Sequence, residues 1–221
     1  GVLTFASAPD YETKTSYTAT VTATDGTNST TQSVTVSVTN LNDNAPVITS
    51  SNSFSTGEVD ARIDNDISWG NLTATDADGD SLTFGFHGDS AGSISGGIQY
   101  DNTGRTRINV TTGEITGSGI SYYDFEDGSH NSVQKDIYVT DGQTNVTQQI
   151  TLSITDINDR VPDLSALSSA GCWTIAENST SVCTIPVTDA DTVNTFTYSI
   201  SQYDRNGQTL SGFEKLQVNS S

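Results

Sequence analysis

The feature that most narrows the fold of this chain is a two-residue periodicity. Four runs, SYTATVTATD (16–25), TQSVTVSVTN (31–40), SVQKDIYVTD (132–141) and VTQQITLSITD (146–156), alternate apolar and polar side chains and are rich in Thr, Val, Ile and Tyr. Successive side chains of an extended strand point to opposite faces, so these runs predict half-buried antiparallel strands. The Asp-Gly steps in ATDGTNST and VTDGQTNVT lie between consecutive runs and predict hairpin turns. No convincing amphipathic helical period is present. Strands recurring about every 8–12 residues point to an all-β sandwich architecture.

A second constraint is internal repetition. TATVTATDGTNSTTQSVTVSVTNLNDNAP (18–46) matches DIYVTDGQTNVTQQITLSITDINDRVP (136–162), and LTATDADGDSLTFGF (72–86) matches IPVTDADTVNTFTYSI (185–200). In the first match Asp43 and Asp159 lie 116 residues apart (159 minus 43), one domain length. The first match falls in the back half of a unit and the second in the front half. The chain therefore reads as the C-terminal half of one repeat (1–45), a complete repeat (46–162) and the N-terminal half of a third (163–221). Joined end to end, KLQVNSS and GVLTFASAPDYE give LQVNSSGVLTFASAPDYE, which parallels INVTTGEITGSGISYYDFE of the intact unit. The expectation is one full period of a polymer or of a long tandem array, with 163–221 completing 1–45 of a neighbouring copy.

Charge limits the partners. Eight Lys and Arg stand against 27 Asp and Glu, a formal net charge of −19. That disfavours nucleic acid and anionic membrane surfaces, which need basic patches, and suits divalent cations. The acids are 21 Asp and only 6 Glu, and Asp is the short carboxylate of turns and calcium loops. No run approaches the roughly 20 apolar residues of a membrane span. With no Met and no signal peptide, the chain is expected to be mature, trimmed or a segment of something longer.

The acids recur at matched places. An isolated Glu stands early in each unit (Glu58, Glu177). An Asp-Ala-Asp follows (Asp76 and Asp78; Asp189 and Asp191). Asp-aromatic-Glu comes next (Asp10 and Glu12; Asp124 and Glu126), then a turn Asp (Asp25, Asp141), and finally the pre-proline segments NLNDNAP (40–46) and DINDRVP (156–162). Calcium takes about 6–8 hard oxygens at about 2.3–2.6 Å. An Asp-x-Asp spacing on an extended chain puts both carboxylates on one side, where they repel one another without a cation. Pro46 and Pro162 help to stiffen the two linkers.

In their order and spacing these motifs resemble the cadherin repeat over the whole chain. The resemblance implies tandem immunoglobulin-like Greek-key sandwiches, extracellular or at the cell surface, joined by calcium-binding linkers with about three Ca²⁺ per junction. It implies that Asp10, Glu12, Asn40, Asn42, Asp43, Asp76, Asp78 and Asp141 serve one junction. Glu58, Asp124, Glu126, Asp156, Asn158, Asp159, Asp189 and Asp191 would serve the next. Glu177 and Asp25 are counterparts of ligands that a neighbouring copy would supply. Two positions depart from the family pattern: Asn40 stands where the family has Asp, and Arg160 where it has Asn. The first would weaken one ion; the second is tolerable if only its backbone oxygen contributes.

Other chemistries fit less well. A metal–nucleotide Asp-x-Asp of a glycosyltransferase needs an α/β pattern that does not follow, and carboxylate pairs of the glycosidase kind are already accounted for by calcium. His87 and His130 lie in polar segments without metal-ligand spacing and read as surface residues. Trp69 and Trp173 sit in strands and read as core. The chain is not expected to be an enzyme. Cys172 and Cys183 flank two neighbouring strands, and the extracellular character of everything else favours a disulfide over two buried thiols. The expected function is a structural filament or stalk built from like copies or adjacent repeats. The alternative is a calcium-dependent adhesion module of a receptor or microbial adhesin. It would bind a like domain or a glycan, with 87–107 as its best candidate loop, although a plain hairpin excursion is the favoured reading of that segment.

Six N-x-S/T triplets occur, at Asn28, Asn71, Asn109, Asn145, Asn178 and Asn219, close to what composition alone would give. Asn28 and Asn145 occupy equivalent turns, and glycans are expected there if the source is eukaryotic. Intact mass before and after glycosidase treatment checks this: a mass loss is expected, and no change refutes it.

Overall fold

The computed structural model describes residues 1–58, 67–118, 123–169, 176, 177, 179, 183–192 and 195–199. The chain divides into two units, Gly1–Thr155 and Asp156–Ser221.

The first unit begins with a hairpin of β1 (Ser16–Thr24) and β2 (Ser29–Ser37), antiparallel over its whole length. Its turn is set by Asp25, whose Oδ1 accepts from the backbone N–H of Thr27 (2.9 Å) and Asn28 (2.7 Å), and by Gly26 at φ 97°, a conformation that a side chain would strain. The register Tyr17–Val36 and Ala19–Val34 puts the apolar residues on one face, and Thr18–Thr35 and Thr20–Ser33 put hydroxyls on the other.

Two sheets then build a sandwich. One has the order β4-β13-β12-β7, from Ser53–Gly57, Asn145–Thr155, Ser132–Thr140 and Thr83–Phe86. The parallel pairing of β4 with β13 joins the start and end of the repeat. The other has the order β5-β11-β10-β9-β8, from Ile67–Asn71, Glu114–Gly117, Thr106–Asn109, Ile98–Asp101 and Ala91–Ser95. A small pair, β3 (Val47–Ile48) with β6 (Ala74–Thr75), lies beside the linker and the Asp-Ala-Asp segment. Residues 87–107 form a 3-10 turn (Gly88–Ser90) followed by the antiparallel pair β8 and β9, the hairpin favoured for this segment.

The alternation read from the sequence becomes the core. Ile137 and Val139 of β12 and Ile150, Leu152 and Ile154 of β13 pack with Trp69, Phe86, Ile108, Ile115 and Tyr123 from the rest of the sandwich. Each such side chain contributes roughly 1.5–3 kcal/mol on burial. The Trp69 and Tyr123 rings meet edge to face at 5.0 Å, and Gly117 leaves room for them, since a Cβ there would sit 2.6 Å from Tyr123 and 2.8 Å from Trp69. The polar ends are satisfied: Trp69 Nε1 donates to the Ser153 carbonyl (3.0 Å), and the Tyr123 and Thr106 hydroxyls are 2.9 Å apart. Gln99 of β9 bonds both backbone groups of Phe86 on β7, accepting from its N–H (2.9 Å) and donating to its carbonyl (3.3 Å). Trp69 is thus a core residue as expected. His87 is exposed, whereas His130 is half-buried rather than a free surface residue.

The same positions of the preceding half-repeat are bare. Val21 precedes Ile137 by 116 residues (137 minus 21), yet Val21 is 43% exposed and Ile137 0%. Tyr17, Val34, Val36 and Val38 are only half-buried along the same hairpin. The half-repeat therefore carries an apolar sheet face with no opposing sheet among the described residues.

The second unit is described in part. Asp163 pairs with Thr188 in an antiparallel bridge and caps a 3-10 turn, Ser165–Ser169, by accepting from the Ser165 N–H (2.7 Å) and hydroxyl (2.8 Å). Cys172, Trp173, Asn178 and Asn219 lie outside the described residues.

One buried ion pair interrupts the apolar core. Lys135 Nζ of β12 is 2.5 Å from Asp101 Oδ2 at the end of β9, and the two residues are 8% and 2% exposed. Asp101 also accepts from the Thr103 hydroxyl (2.9 Å) and from the Arg105 (2.9 Å) and Thr106 (3.2 Å) N–H groups, which ties the β9–β10 turn to β12. Burial pushes the Asp101 carboxyl up, but the hydrogen bonds from Lys135 and Thr103 outweigh it and hold it below its usual range. A lowered native pKa means that the pair stabilises above the ordinary aspartate value of about 4. That contribution is lost as the pH falls through the native value. Lys135→Met leaves a buried carboxylate without its cation and is expected to cost about 3–5 kcal/mol, read by urea unfolding of the full chain at neutral pH.

Candidate metal centre

The site is built from turns that aim carboxylates at one place. In the Asp-Tyr-Glu segment, Asp10 Oδ1 accepts from the N–H of Glu12 (3.0 Å) and Thr13 (3.4 Å), and Oδ2 from the Thr13 hydroxyl (2.7 Å). In the Asp-Ala-Asp segment, Asp76 Oδ1 accepts from the N–H of Asp78 (2.9 Å) and Asp80 (3.4 Å). The turn after β12 repeats the Asp25 arrangement: Asp141 Oδ1 accepts from Gln143 (2.7 Å) and Thr144 (2.6 Å).

The linker Asn40–Pro46 threads between these turns and is held by side-chain bonds. Asn40 Nδ2 donates to the Asp78 carbonyl (2.7 Å). Asp78 Oδ2 accepts from the N–H of Asp43 (3.1 Å) and Asn44 (2.8 Å), and Asp78 Oδ1 from Asn44 Nδ2 (2.8 Å). Asn42 Nδ2 donates to the Asp141 carbonyl (3.3 Å), and Gln143 Nε2 to the Asn42 carbonyl (3.2 Å). Asp78 is 9% exposed at the centre. One carboxylate oxygen each from Glu12, Asp43 and Asp78 lie within 4.8 Å of one another, and so do those of Asp76, Asp78 and Asp80.

The electrostatics are those of crowded like charges. Hydrogen bonds from Asn44 hold Asp78 low, and those from Thr13 and Glu12 hold Asp10 low. Glu12 is raised: its own backbone N–H pulls it down, but loss of solvation at its carboxylate and its neighbours Asp10 and Asp78 outweigh that. Asp80 is raised by burial and by the charges of Asp76, Asp78 and Asp141. Asp76 Oδ2 and Asp141 Oδ2 are shielded from solvent and have no hydrogen-bond partner among the described residues. A site of hard, acceptor-only oxygens with two such orphaned atoms fits an oxygen-seeking divalent cation.

A second set of acids is arranged alike. In the first unit Glu58, 7% exposed at the end of β4, accepts from the Phe125 N–H (2.5 Å), and Asp124 Oδ1 from the Glu126 N–H (3.1 Å). Oxygens of Glu58, Asp124 and Glu126 lie within 4.8 Å of one another. In the second unit Asp191 N–H donates to Asp189 Oδ1 (3.2 Å), and Asp191 Oδ2 accepts from the Arg160 N–H (2.9 Å). Asp156 Oδ2 accepts from the Thr192 N–H (2.5 Å) and hydroxyl. Asp159 is buried beside the exposed Asn158.

Two expected residues stand apart from these clusters. Asp25 is exposed in the β1–β2 turn, held low by the N–H groups of Asn28 and Thr27, and Glu177 is exposed. Two others were missed. Asp80 continues the alternate spacing of Asp76 and Asp78, a signal present in DADGD but not in the matching DADTV. The Asn44 side chain donates to Asp43 Oδ1 (3.1 Å) as well as to Asp78, which nothing in the linker sequence announces.

No protein-family model and no curated protein matches the chain. Solved structures do. The chain is similar to protocadherin gamma B2 extracellular cadherin domains 1–5 at 26% identity and a TM-score of 0.54, over 83% of this chain and 34% of that one. It is similar to the protocadherin gamma B4 extracellular domain at 24% and 0.55, over 85% and 28%. With a protocadherin gamma B7 EC3–6 cis-dimer structure the values are 19% and 0.58, over 85% and 45%. The chain thus spans less than half the length of these neighbours. Its fold is the all-β cadherin-like sandwich. Among the described residues no helix is long and apolar enough to cross a membrane.

Asp78→Asn keeps the shape of the central acid and removes its charge. It is expected to leave the sandwich folded and to weaken divalent-cation binding about tenfold or more, read by calorimetric calcium titration of the full chain.

Proposed function

We propose that this chain is an extracellular, calcium-stiffened repeat that builds a filament or long stalk from head-to-tail cadherin-like sandwiches. The observation that carries the reading is the convergence on Asp78 of carboxylates from the Asp-Tyr-Glu loop, the Asn40–Pro46 linker and the Asp-Ala-Asp segment, with Asp76 Oδ2 and Asp141 Oδ2 lacking a hydrogen-bond partner among the described residues. The neighbours' fold supports it, since their descriptions are of extracellular cadherin domains. Asp10, Glu12, Asn40, Asn42, Asp43, Asp76, Asp78 and Asp141, now joined by Asp80, would hold calcium at the first linker. The matching acids, from Glu58 to Asp191, would do so at the next. Bound calcium supplies positive charge; the chain's own turns fix the direction of the Asp10, Asp76 and Asp141 carboxylates.

The bare apolar face of β1–β2 supports the head-to-tail arrangement. In the complete repeat, residues equivalent to that face are buried by the front-half strands. Residues 163–221 carry the sequence of another such front half. A front half from another repeat laid on β1–β2 would complete a sandwich, and the contact repeats without closing. A Cys172–Cys183 disulfide would brace that front half by about 2–3 kcal/mol.

Thermal unfolding in calcium and after chelation tests the function. Each site at 100-fold excess over its dissociation constant adds about 2.7 kcal/mol, so chelation is expected to lower the midpoint by on the order of 5 °C or more. An unchanged midpoint overturns the reading.

A further inference from the structure

The two linkers are not equivalent, and the difference is a fixed positive charge. Asn44 and Arg160 occupy matching positions, 116 residues apart (160 minus 44). Their backbones do the same thing: the N–H of Asn44 donates to Asp78 Oδ2 at 2.8 Å, and the N–H of Arg160 to Asp191 Oδ2 at 2.9 Å. Their side chains do not. The Asn44 amide is a neutral donor shared between Asp43 Oδ1 (3.1 Å) and Asp78 Oδ1 (2.8 Å). The Arg160 guanidinium instead places Nε 3.6 Å from Asp159 Oδ1, with the Arg160 side chain 33% exposed and that of Asp159 2%. The linker segments NLNDN and DINDR also balance in charge. The second has one more carboxylate, Asp156 for Asn40, and one cation, Arg160 for Asn44, so both carry a net charge of one negative.

We propose that Arg160 sets the calcium demand of the second linker, acting as a built-in cation that neutralises Asp159 and opposes the arrival of a divalent ion. The proposal rests on the calcium reading above. A guanidinium stays charged at all working pH values and cannot dissociate from its own chain. It therefore screens Asp159 whether or not calcium is present. The acids beside it bind calcium more weakly than they would beside Asn, and they need calcium less to stay together. The first linker segment carries no cation of its own: Asn40 and Asn44 are neutral. The result is a graded pair, in which falling calcium loosens one linker before the other.

Calcium titration of the full chain, followed by calorimetry and by chelator competition, tests this with three variants. Arg160→Asn is expected to tighten one class of sites about tenfold and to enlarge the fall in melting temperature on chelation. Asn44→Arg places the charge in the first linker, should weaken the other class by a similar factor, and serves if Arg160→Asn does not fold. Arg160→Lys keeps the charge and is expected to titrate like the unaltered chain, which separates charge from shape. Weaker binding by Arg160→Asn, or isotherms within twofold for both charge-changing variants, overturns the proposal alone. Absence of calcium binding by all the chains overturns it together with the calcium reading.

Discussion

The interaction on which the rest depends is repulsion among carboxylates that the backbone forces together around Asp78. Three of the acids are held by their own turns: Asp10 by Glu12 and Thr13, Asp76 by Asp78 and Asp80, and Asp141 by Gln143 and Thr144. Those bonds consume one oxygen of Asp76 and of Asp141 and leave the other facing a site with no donor among the described residues. Donors that do arrive, chiefly from Asn44, satisfy Asp78 and leave Glu12 and Asp80 raised. A small, doubly charged, oxygen-seeking ion resolves all of these at once.

The sandwich builds its core from residues other than the acids of the site. Its core of Ile, Leu, Val, Phe, Trp and Tyr is contiguous through both sheets, and its internal polar groups answer one another: Gln99 with the Phe86 backbone, Tyr123 with Thr106, Lys135 with Asp101. The acidic end is therefore carried by a frame whose core contains none of those acids. The division explains the composition. The acids are surplus to the core and collect in turns, where the short Asp side chain can bond its own backbone and still present an oxygen outward.

The long strands were legible because period two is unambiguous over nine or more residues. β1, β2, β12 and β13 fall within three residues of the runs read from sequence at either end. The strands β7 to β11 are four or five residues each, too short for alternation to stand out, so in 87–107 the hairpin is legible but not the bounds of its strands. Most candidate ligands were legible from their repeated spacing. Asp80 was not, because the matching repeat lacks it. Nor was the inward Lys135, because a lysine in an alternating strand gives no sign that Asp101 waits inside. The half-buried His130 shows the same limit: burial of one polar residue depends on contacts distant in sequence.

The most direct test of the central claim is a calcium-specific anomalous difference map from crystals of the full chain grown with calcium. The account predicts peaks among the oxygens of Glu12, Asp43, Asp76, Asp78 and Asp80, each ion coordinated at about 2.3–2.6 Å. Clean density for these side chains at calcium saturation, with no peak between them, would contradict it.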